Sequence, residues 1–172
     1  MNRPTLTLRG NPGGPYPSEE GPALALVGEA PGPNGNPETP LWPSPSGSAA
    51  GRLCAIMGMG KGAYLRMFAR ANLLDAYPGP VFPLARARPL AVPLAQRLAP
   101  LPLILLGRGV QAAFSFPEPT PMEWVDYQLG DTWIRAAALP HPSGRSLYYN
   151  DALKRAEVGS WLREQVAVHR PK

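Results

Sequence analysis

The chain has 172 residues, 44% of them hydrophobic, and a formal net charge of +5. This length and composition fit one globular domain with a sizeable core. They exclude a disordered chain, because apolar runs recur between the 24 prolines and 18 glycines. The positive charge favours an anionic partner, nucleic acid first. The single cysteine, Cys54, excludes an internal disulfide and a four-cysteine metal or iron–sulfur site, and we expect it in the core.

The polar N-terminal segment, residues 1–22, is rich in Gly and Pro, which predicts a flexible arm before a single domain over residues 23–172. The segment lacks the apolar stretch of a signal peptide. The longest apolar run, residues 98–106, contains two prolines and is far too short to span a bilayer. We therefore expect a soluble, monomeric protein of the cytoplasm that has no membrane partner.

The ordered part of the chain begins with a short buried strand over residues 23–27 (ALALV). A long loop rich in Gly, Pro and Asn follows this strand. Ser46 or Ser48 can then cap a helix that runs to about Met57. A strand, a glycine-rich loop and a helix in this order are typical of a site at the carboxyl end of the strands in an open α/β sheet.

Two further helices are predicted in the middle of the chain. The first covers residues 63–71, with Arg70 on its polar side, and Asn72 could be its C-terminal cap. The second is a short helix over residues 90–98, which would tolerate Pro93.

The second half of the chain predicts three strands and two helices. Residues 101–106 (LPLILL) form a buried strand, and Gly107 leads into a helix over residues 108–114. A strand pair covers residues 124–129 and 132–139. A final amphipathic helix is capped by Asn150 or Asp151, and its buried side is predicted to carry Leu153, Ala156, Trp161, Leu162 and Val166. Helices interleaved with short buried strands predict an α/β fold, a three-layer αβα domain with a mainly parallel central sheet of about four strands.

Two loops carry residue types suited to chemistry. Glu29 follows the first strand, and His141 lies between two prolines after the last strand, where its backbone freedom is restricted. Because both loops leave the sheet at strand ends, they can face one cleft. His141 could donate to an oxyanion or act as an acid or base, or it could simply bond to local backbone. The two distant histidines and one cysteine provide no metal-ligand spacing, and no Walker loop, dinucleotide fingerprint or nucleophile elbow is present.

Several of these segments resemble motifs of the uracil-DNA glycosylase superfamily. Residues 28–32 (GEAPG), with PLW at 40–42 and GSAAGRL at 47–53, are similar to the first motif of its bacterial and archaeal branches. LLGR at 105–108 is similar to its strand–helix junction, and HPS at 141–143 to its C-terminal loop. The resemblance covers residues 23 to about 151. The cysteines of the iron–sulfur branch are missing, so the chain resembles a branch without that cluster.

The resemblance implies a monofunctional DNA glycosylase, which hydrolyses the N-glycosidic bond of uracil or a related modified pyrimidine flipped out of DNA. It implies no metal and no cofactor. His141 would donate to the O2 region of the departing base, and Glu29 would position water or stabilise the cationic sugar.

The resemblance also assigns residues to the base and to the DNA. Asn72 would read the pyrimidine edge, and Trp42, or alternatively Leu41, would stack on the base. Ala30 stands beside the base, where the best-known branch has its water-activating Asp. The DNA strand would contact Ser143, Gly144, Arg145 and Ser146.

Two other functions remain open from the sequence. One is a catalytically weak or inactive DNA-binding member of the same fold, and the other is an N-glycosidase acting on a free nucleoside or nucleotide. Retention of Glu29, Asn72 and His141 together favours catalysis on DNA, because a protein that only binds DNA has no need of all three. The intercalating Leu of the HPS loop is missing near Arg145, and Leu147 is the closest apolar candidate.

Overall fold

The computed structural model describes residues 21–118 and 120–170, so the predicted N-terminal arm lies outside it except for residues 21 and 22. Within this range the chain forms five β-strands and five α-helices. The strands are β1 (Leu24–Gly28), β2 (Phe68–Asn72), β3 (Leu103–Leu106), β4 (Val125–Leu129) and β5 (Thr132–Leu139). The helices are α1 (Ala49–Met57), α2 (Lys61–Met67), α3 (Leu84–Leu98), α4 (Arg108–Ala113) and α5 (Ala152–His169), and a 3-10 turn covers Leu147–Asn150. None of these helices is both long and apolar enough to cross a bilayer.

The five strands form one sheet in the order β2-β1-β3-β5-β4. All neighbouring pairs are parallel except β4 and β5, which form an antiparallel hairpin. One apolar cluster lies between the sheet and α3 and α4, and a second lies between the opposite face and α1, α2 and α5. The predicted three-layer αβα fold is therefore confirmed. Because the four parallel strands end at the same edge, the loops that follow them lie side by side there.

The local signals read from the sequence explain most of the element boundaries. Strands β1 and β3 are buried on both faces, as expected of continuous apolar runs in a parallel sheet. The Ser48 hydroxyl accepts a hydrogen bond from the Gly51 N–H at 3.0 Å and caps α1. Gly58, with φ of +61°, ends that helix in the left-handed conformation. The Asp151 carboxylate caps α5, and Cys54 is buried as expected.

The sheet contains one strand more than predicted, because β2 occupies the second half of the predicted helix over residues 63–71. The helix stops at Met67, and the next five residues pair in parallel register with β1. The apolar residues at 64, 65, 68 and 71 fit a helical period, but the long-range backbone pairing with β1 decides the conformation. This difference turns Arg70 from a helix-surface residue into a residue of the sheet.

Helix α3 begins at Leu84, six residues before the predicted start, and it includes Pro89 as well as Pro93. Both prolines are exposed, so water can replace the backbone hydrogen bonds that they remove. On α5, Leu153 and Ala156 were predicted to be buried but are exposed, and Leu153 is 82% exposed. That helix is buried only from Val158 onward, where it packs against α1.

The contact between α5 and α1 depends on a glycine. A Cβ atom on Gly159 would lie 2.3 Å from the backbone oxygen of Ile56, so the two helices would have to separate. We expect Gly159→Ala to lower the free energy of unfolding by about 2–3 kcal/mol, measured by urea denaturation. Gly62→Ala on α2 is the control: its Cβ would lie 3.5 Å from the nearest side-chain atom, and alanine should stabilise the helix by about 0.5–1 kcal/mol. Equal stabilities of the two variants would contradict the close helix contact.

Candidate functional site

Glu29 and His141 approach the same backbone position, Gly107. A Cβ atom placed on Gly107 would lie 3.1 Å from Glu29 Oε1 and 3.1 Å from His141 Cβ. Gly107 follows β3 with φ of 95° and ψ of 158°, a combination that is open to glycine and strained for other residues. The acidic loop after β1 and the histidine loop after β5 are thus held on either side of the strand between them.

The carboxylate of Glu29 is half-buried and is anchored through α4. The backbone N–H of Gly109 donates a hydrogen bond to it. Burial raises the pKa of Glu29, and the Gly109 hydrogen bond partly opposes this rise. The backbone of Glu29 is held as well, since its carbonyl accepts a hydrogen bond from Leu74 N–H at 2.9 Å. The ring of Phe82 packs against the same turn at Gly109.

The imidazole of His141 is oriented by its own loop. Its Nδ1 accepts a hydrogen bond from the Ser143 N–H at 3.2 Å, so the neutral ring carries its proton on Nε2. Burial lowers the pKa of His141, which keeps the ring neutral at physiological pH. The preceding carbonyl of Pro140 accepts a hydrogen bond from the Tyr149 hydroxyl at 2.9 Å. Nε2 makes no hydrogen bond within residues 21–118 and 120–170, and it is therefore a free donor there.

Asn72 ends β2 directly opposite Gly28, the last residue of β1. Its Oδ1 is buried and has no hydrogen-bond partner among the residues that the structure describes. A Cβ atom on Gly28 would lie 2.6 Å from this oxygen and 3.1 Å from the Leu41 side chain, so the amide and the leucine adjoin one another. A buried, unpaired amide oxygen costs about 1–3 kcal/mol, which favours a ligand N–H at this position.

The two candidates for stacking on a base occupy different places. Leu41 is the one that lies beside Asn72, whereas the ring of Trp42 lies against Arg70, with 5.6 Å between the ring centroid and Arg70 Cζ. The Tyr64 hydroxyl donates to the Leu41 carbonyl at 3.0 Å and ties this loop to α2. The geometry therefore favours Leu41 over Trp42 as the neighbour of a ligand held by Asn72.

Arg70, which the sequence places on the polar side of a predicted helix, belongs to the site region. It precedes Asn72 by two residues on β2, so the two side chains share a face of the sheet. Its Nε and Nη1 atoms are buried and have no hydrogen-bond partner in the part of the chain that the structure describes, and burial lowers the pKa of the guanidinium. The helix predicted over residues 63–71 gave no reason to place Arg70 beside Asn72, because residues two apart share a face only in a strand.

The remaining predicted residues lie around these. Ala30 packs against the apolar cluster beneath α3 and α4. The Ser146 N–H donates to the Ser143 carbonyl at 3.1 Å and closes the histidine loop. Arg145 is exposed in this loop. The guanidinium of Arg52 adjoins the loop as well, since a Cβ atom on Gly144 would lie 2.8 Å from Arg52 Nη2.

A groove of about 550 Å³ lies beside His141, between α4 and the loop after β5. Gly107 and His141 line this groove, but Glu29, Ala30, Trp42 and Asn72 do not. The structure thus has two neighbouring regions at one sheet edge. Gly107 connects them, because it lines the groove and its Cβ position lies 3.1 Å from Glu29 Oε1.

Together these features define a three-layer α/β protein with a polar site at the carboxyl edge of its parallel strands. The site combines a half-buried carboxylate, a neutral imidazole and an unpaired amide. No group of three metal-ligating side chains occurs in the part of the chain that the structure describes. Neither the protein-family models nor the curated proteins compared with the sequence give a match.

Proposed function

We propose that the chain is a DNA glycosylase that hydrolyses the N-glycosidic bond of uracil, or of a related modified pyrimidine, flipped out of DNA. The observation that carries the proposal is the approach of Glu29 and His141 to the same glycine, each 3.1 Å from its Cβ position. The unpaired Oδ1 of Asn72 on the same sheet edge supplies the third group. A carboxylate, a neutral donor and an amide are what cleavage and recognition of a uracil base require.

His141 stabilises the departing base. As the C1′–N1 bond breaks, its electron pair leaves with the base, and negative charge develops on N1 and O2. The Nε2–H of a neutral imidazole donates a hydrogen bond to this oxygen without having to be reoriented, because Ser143 N–H holds Nδ1. The base leaves as a stabilised anion and is protonated by solvent.

Glu29 acts on the sugar side of the same bond. Its carboxylate stabilises the positive charge that develops at C1′ and orients the water whose oxygen bonds to that carbon. The proton that this water loses passes to the carboxylate or to solvent. The raised pKa of Glu29 makes it a better proton acceptor than an ordinary glutamate side chain.

Asn72 recognises the base. Its Oδ1 accepts a hydrogen bond from N3–H of uracil and its amide nitrogen donates to O4, which discriminates against cytosine. Leu41 packs beside this edge. On the DNA side, Ser143, Gly144, Arg145 and Ser146 contact the strand. Leu147, which is 80% exposed on the same loop, is the apolar side chain available to fill the space that the flipped base leaves.

The pH dependence of excision follows from the two pKa shifts. The raised pKa of Glu29 means that its carboxylate is lost at a higher pH than usual on acidification. The lowered pKa of His141 means that its ring stays neutral to a lower pH than usual. We therefore expect a single-turnover rate that is constant from neutral to alkaline pH. On acidification the rate should begin to fall at a pH above the ordinary pKa of a glutamate. In Glu29→Gln the rate should be about 10²–10⁴-fold lower, and the fall caused by protonation of Glu29 should disappear. An unchanged profile in this variant would exclude Glu29 as the titrating group.

The proposal is tested with oligonucleotides that carry one uracil, single-stranded or paired, treated with alkali after incubation. Strand breaks at the uracil position, absent when thymine replaces uracil, support the glycosylase. Salt-sensitive DNA binding without breaks on uracil or other modified pyrimidines would indicate a DNA-binding protein without activity. Release of uracil from deoxyuridine at a comparable rate would indicate a nucleosidase.

A further inference from the structure

We propose that the groove between α4 and the loop after β5 is a second nucleotide subsite, which takes an unpaired nucleotide next to the flipped one. The inference rests on the proposed function for the position of the flipped base. It adds that the substrate is single-stranded, or locally unpaired, beside the damaged base. The groove's residues and charges support each step.

The groove has the charge that a phosphodiester requires. Arg108 at the start of α4 and Arg145 in the loop after β5 line it from two elements, and both are exposed. Neither guanidinium pairs with a carboxylate among residues 21–118 and 120–170. Among the described residues no Asp or Glu lines the groove, whereas the hydroxyl-bearing Ser143 and Ser146 do. Two arginines together with hydroxyl groups in the same lining are suited to a backbone phosphate.

The groove also contains a surface for a base. Tyr148 lines it, and its ring is supported by Tyr149 at a centroid distance of 5.3 Å and by the Lys154 ammonium at 5.0 Å. A volume of about 550 Å³ lies in the range of pockets that hold small molecules, and it has room for one nucleotide. A base stacks on a tyrosine only when it is not stacked and paired in a duplex. The aromatic wall therefore favours an unpaired base.

The position of the groove sets which nucleotide it takes. His141 and Gly107 both line the groove, and the Gly107 Cβ position lies 3.1 Å from Glu29 Oε1, where the flipped base and its sugar would be held. The next nucleotide along the strand would reach the groove directly from there. The exposed Leu147 lies on the rim of the same groove and would separate that nucleotide from the rest of the DNA.

The subsite can be tested without uracil and without catalysis. Binding of a fluorescent oligothymidylate and of a blunt duplex is measured by anisotropy over a series of salt concentrations, with parent protein, Tyr148→Ala, Tyr148→Phe and Arg108→Gln. We expect Tyr148→Ala to weaken binding to the single strand by about tenfold while leaving duplex binding unchanged, and Tyr148→Phe to bind like the parent. Arg108→Gln should reduce by about 0.7 the steepness with which the logarithm of the single-strand binding constant falls against the logarithm of the salt concentration.

Two variants are matched controls, because they lie at the opposite edge of the sheet. Trp133→Ala removes an aromatic ring that is 70% exposed near the start of β5, and Arg97→Gln removes an exposed arginine at the end of α3. Both should bind within about twofold of the parent. Thermal unfolding of every variant establishes that it is folded.

Three results would overturn the subsite. They are parent-like binding by Tyr148→Ala, an equal loss on single strand and duplex, and a loss in Tyr148→Phe as large as in Tyr148→Ala. The excision assay is separate from this experiment. If the groove variants bind oligothymidylate more weakly but the parent protein releases no base, the subsite is supported and the glycosylase proposal is refuted. If the parent releases base but the groove variants bind oligothymidylate as the parent does, the glycosylase is supported and the subsite is refuted.

Discussion

Replacing His141 with alanine should slow uracil excision about 10²–10³-fold, the usual effect of removing one donor from an oxyanion site. The ring is partly buried, neutral and held through Nδ1, so its Nε2–H is already directed before the base arrives. This donor matters most when negative charge has developed on the base. We therefore expect kcat to fall while KM for uracil-containing DNA changes little.

The matched control is His169→Ala, which removes the chain's other histidine. His169 lies at the end of α5, where its Nδ1 is 3.0 Å from the Gln165 carbonyl oxygen, and it takes no part in the site. Single-turnover excision by this variant should equal that of the parent. If His141→Ala retained parent-like excision, or lost only DNA affinity, the role of the imidazole in stabilising the departing base would be wrong.

Gly107→Ala should reduce excision by about tenfold without changing any functional group. The new methyl group would lie 3.1 Å from both Glu29 Oε1 and His141 Cβ, so the two side chains would have to move apart. Contacts of 3.1 Å require these neighbours to give by a few tenths of an ångström, which is less than the displacement of about 1 Å that can cost about 10²-fold in rate. The backbone conformation at Gly107 adds a strain of about 1–3 kcal/mol, which should also lower the free energy of unfolding.

Gly130→Ala separates these two effects. Gly130 also has a positive φ, +63°, but it lies in the turn between β4 and β5, where its nearest neighbour is Val92. Alanine there should cost about 1 kcal/mol of stability and leave excision per folded molecule unchanged. Stability is measured by urea denaturation and excision at a temperature where both variants are fully folded. A Gly107→Ala variant with parent-like excision would show that the two side chains do not act across this glycine.

The parts of the site that could be predicted from the sequence are those carried by local signals. Glu29 and His141 each follow an apolar strand, and the carboxyl ends of parallel strands meet at one sheet edge. Their proximity to one another thus follows from two strand assignments and the rule for parallel sheets. Asn72 enters as a candidate only through the family resemblance. The structure makes it the last residue of β2, whereas the sequence predicts a helix over residues 63–71 with Asn72 as its possible cap.

Other features of the site arise from pairing and packing between distant segments. The strand character of β2 comes from its alignment with β1, more than 40 residues away, because the apolar spacing of its sequence fits a helix equally well. The burial of Arg70, the positions of Leu41 and Trp42 and the groove at Tyr148 likewise depend on which loops cover which strand ends.

The three-layer fold and the two loops that carry Glu29 and His141 thus follow from the amino-acid sequence. Periodicity, capping residues and apolar runs are local properties, and they suffice for those features. The tertiary structure decided the fifth strand, the unpaired Asn72 oxygen and the cationic groove. These features depend on contacts between segments far apart in the chain, and no local pattern of residues encodes such contacts.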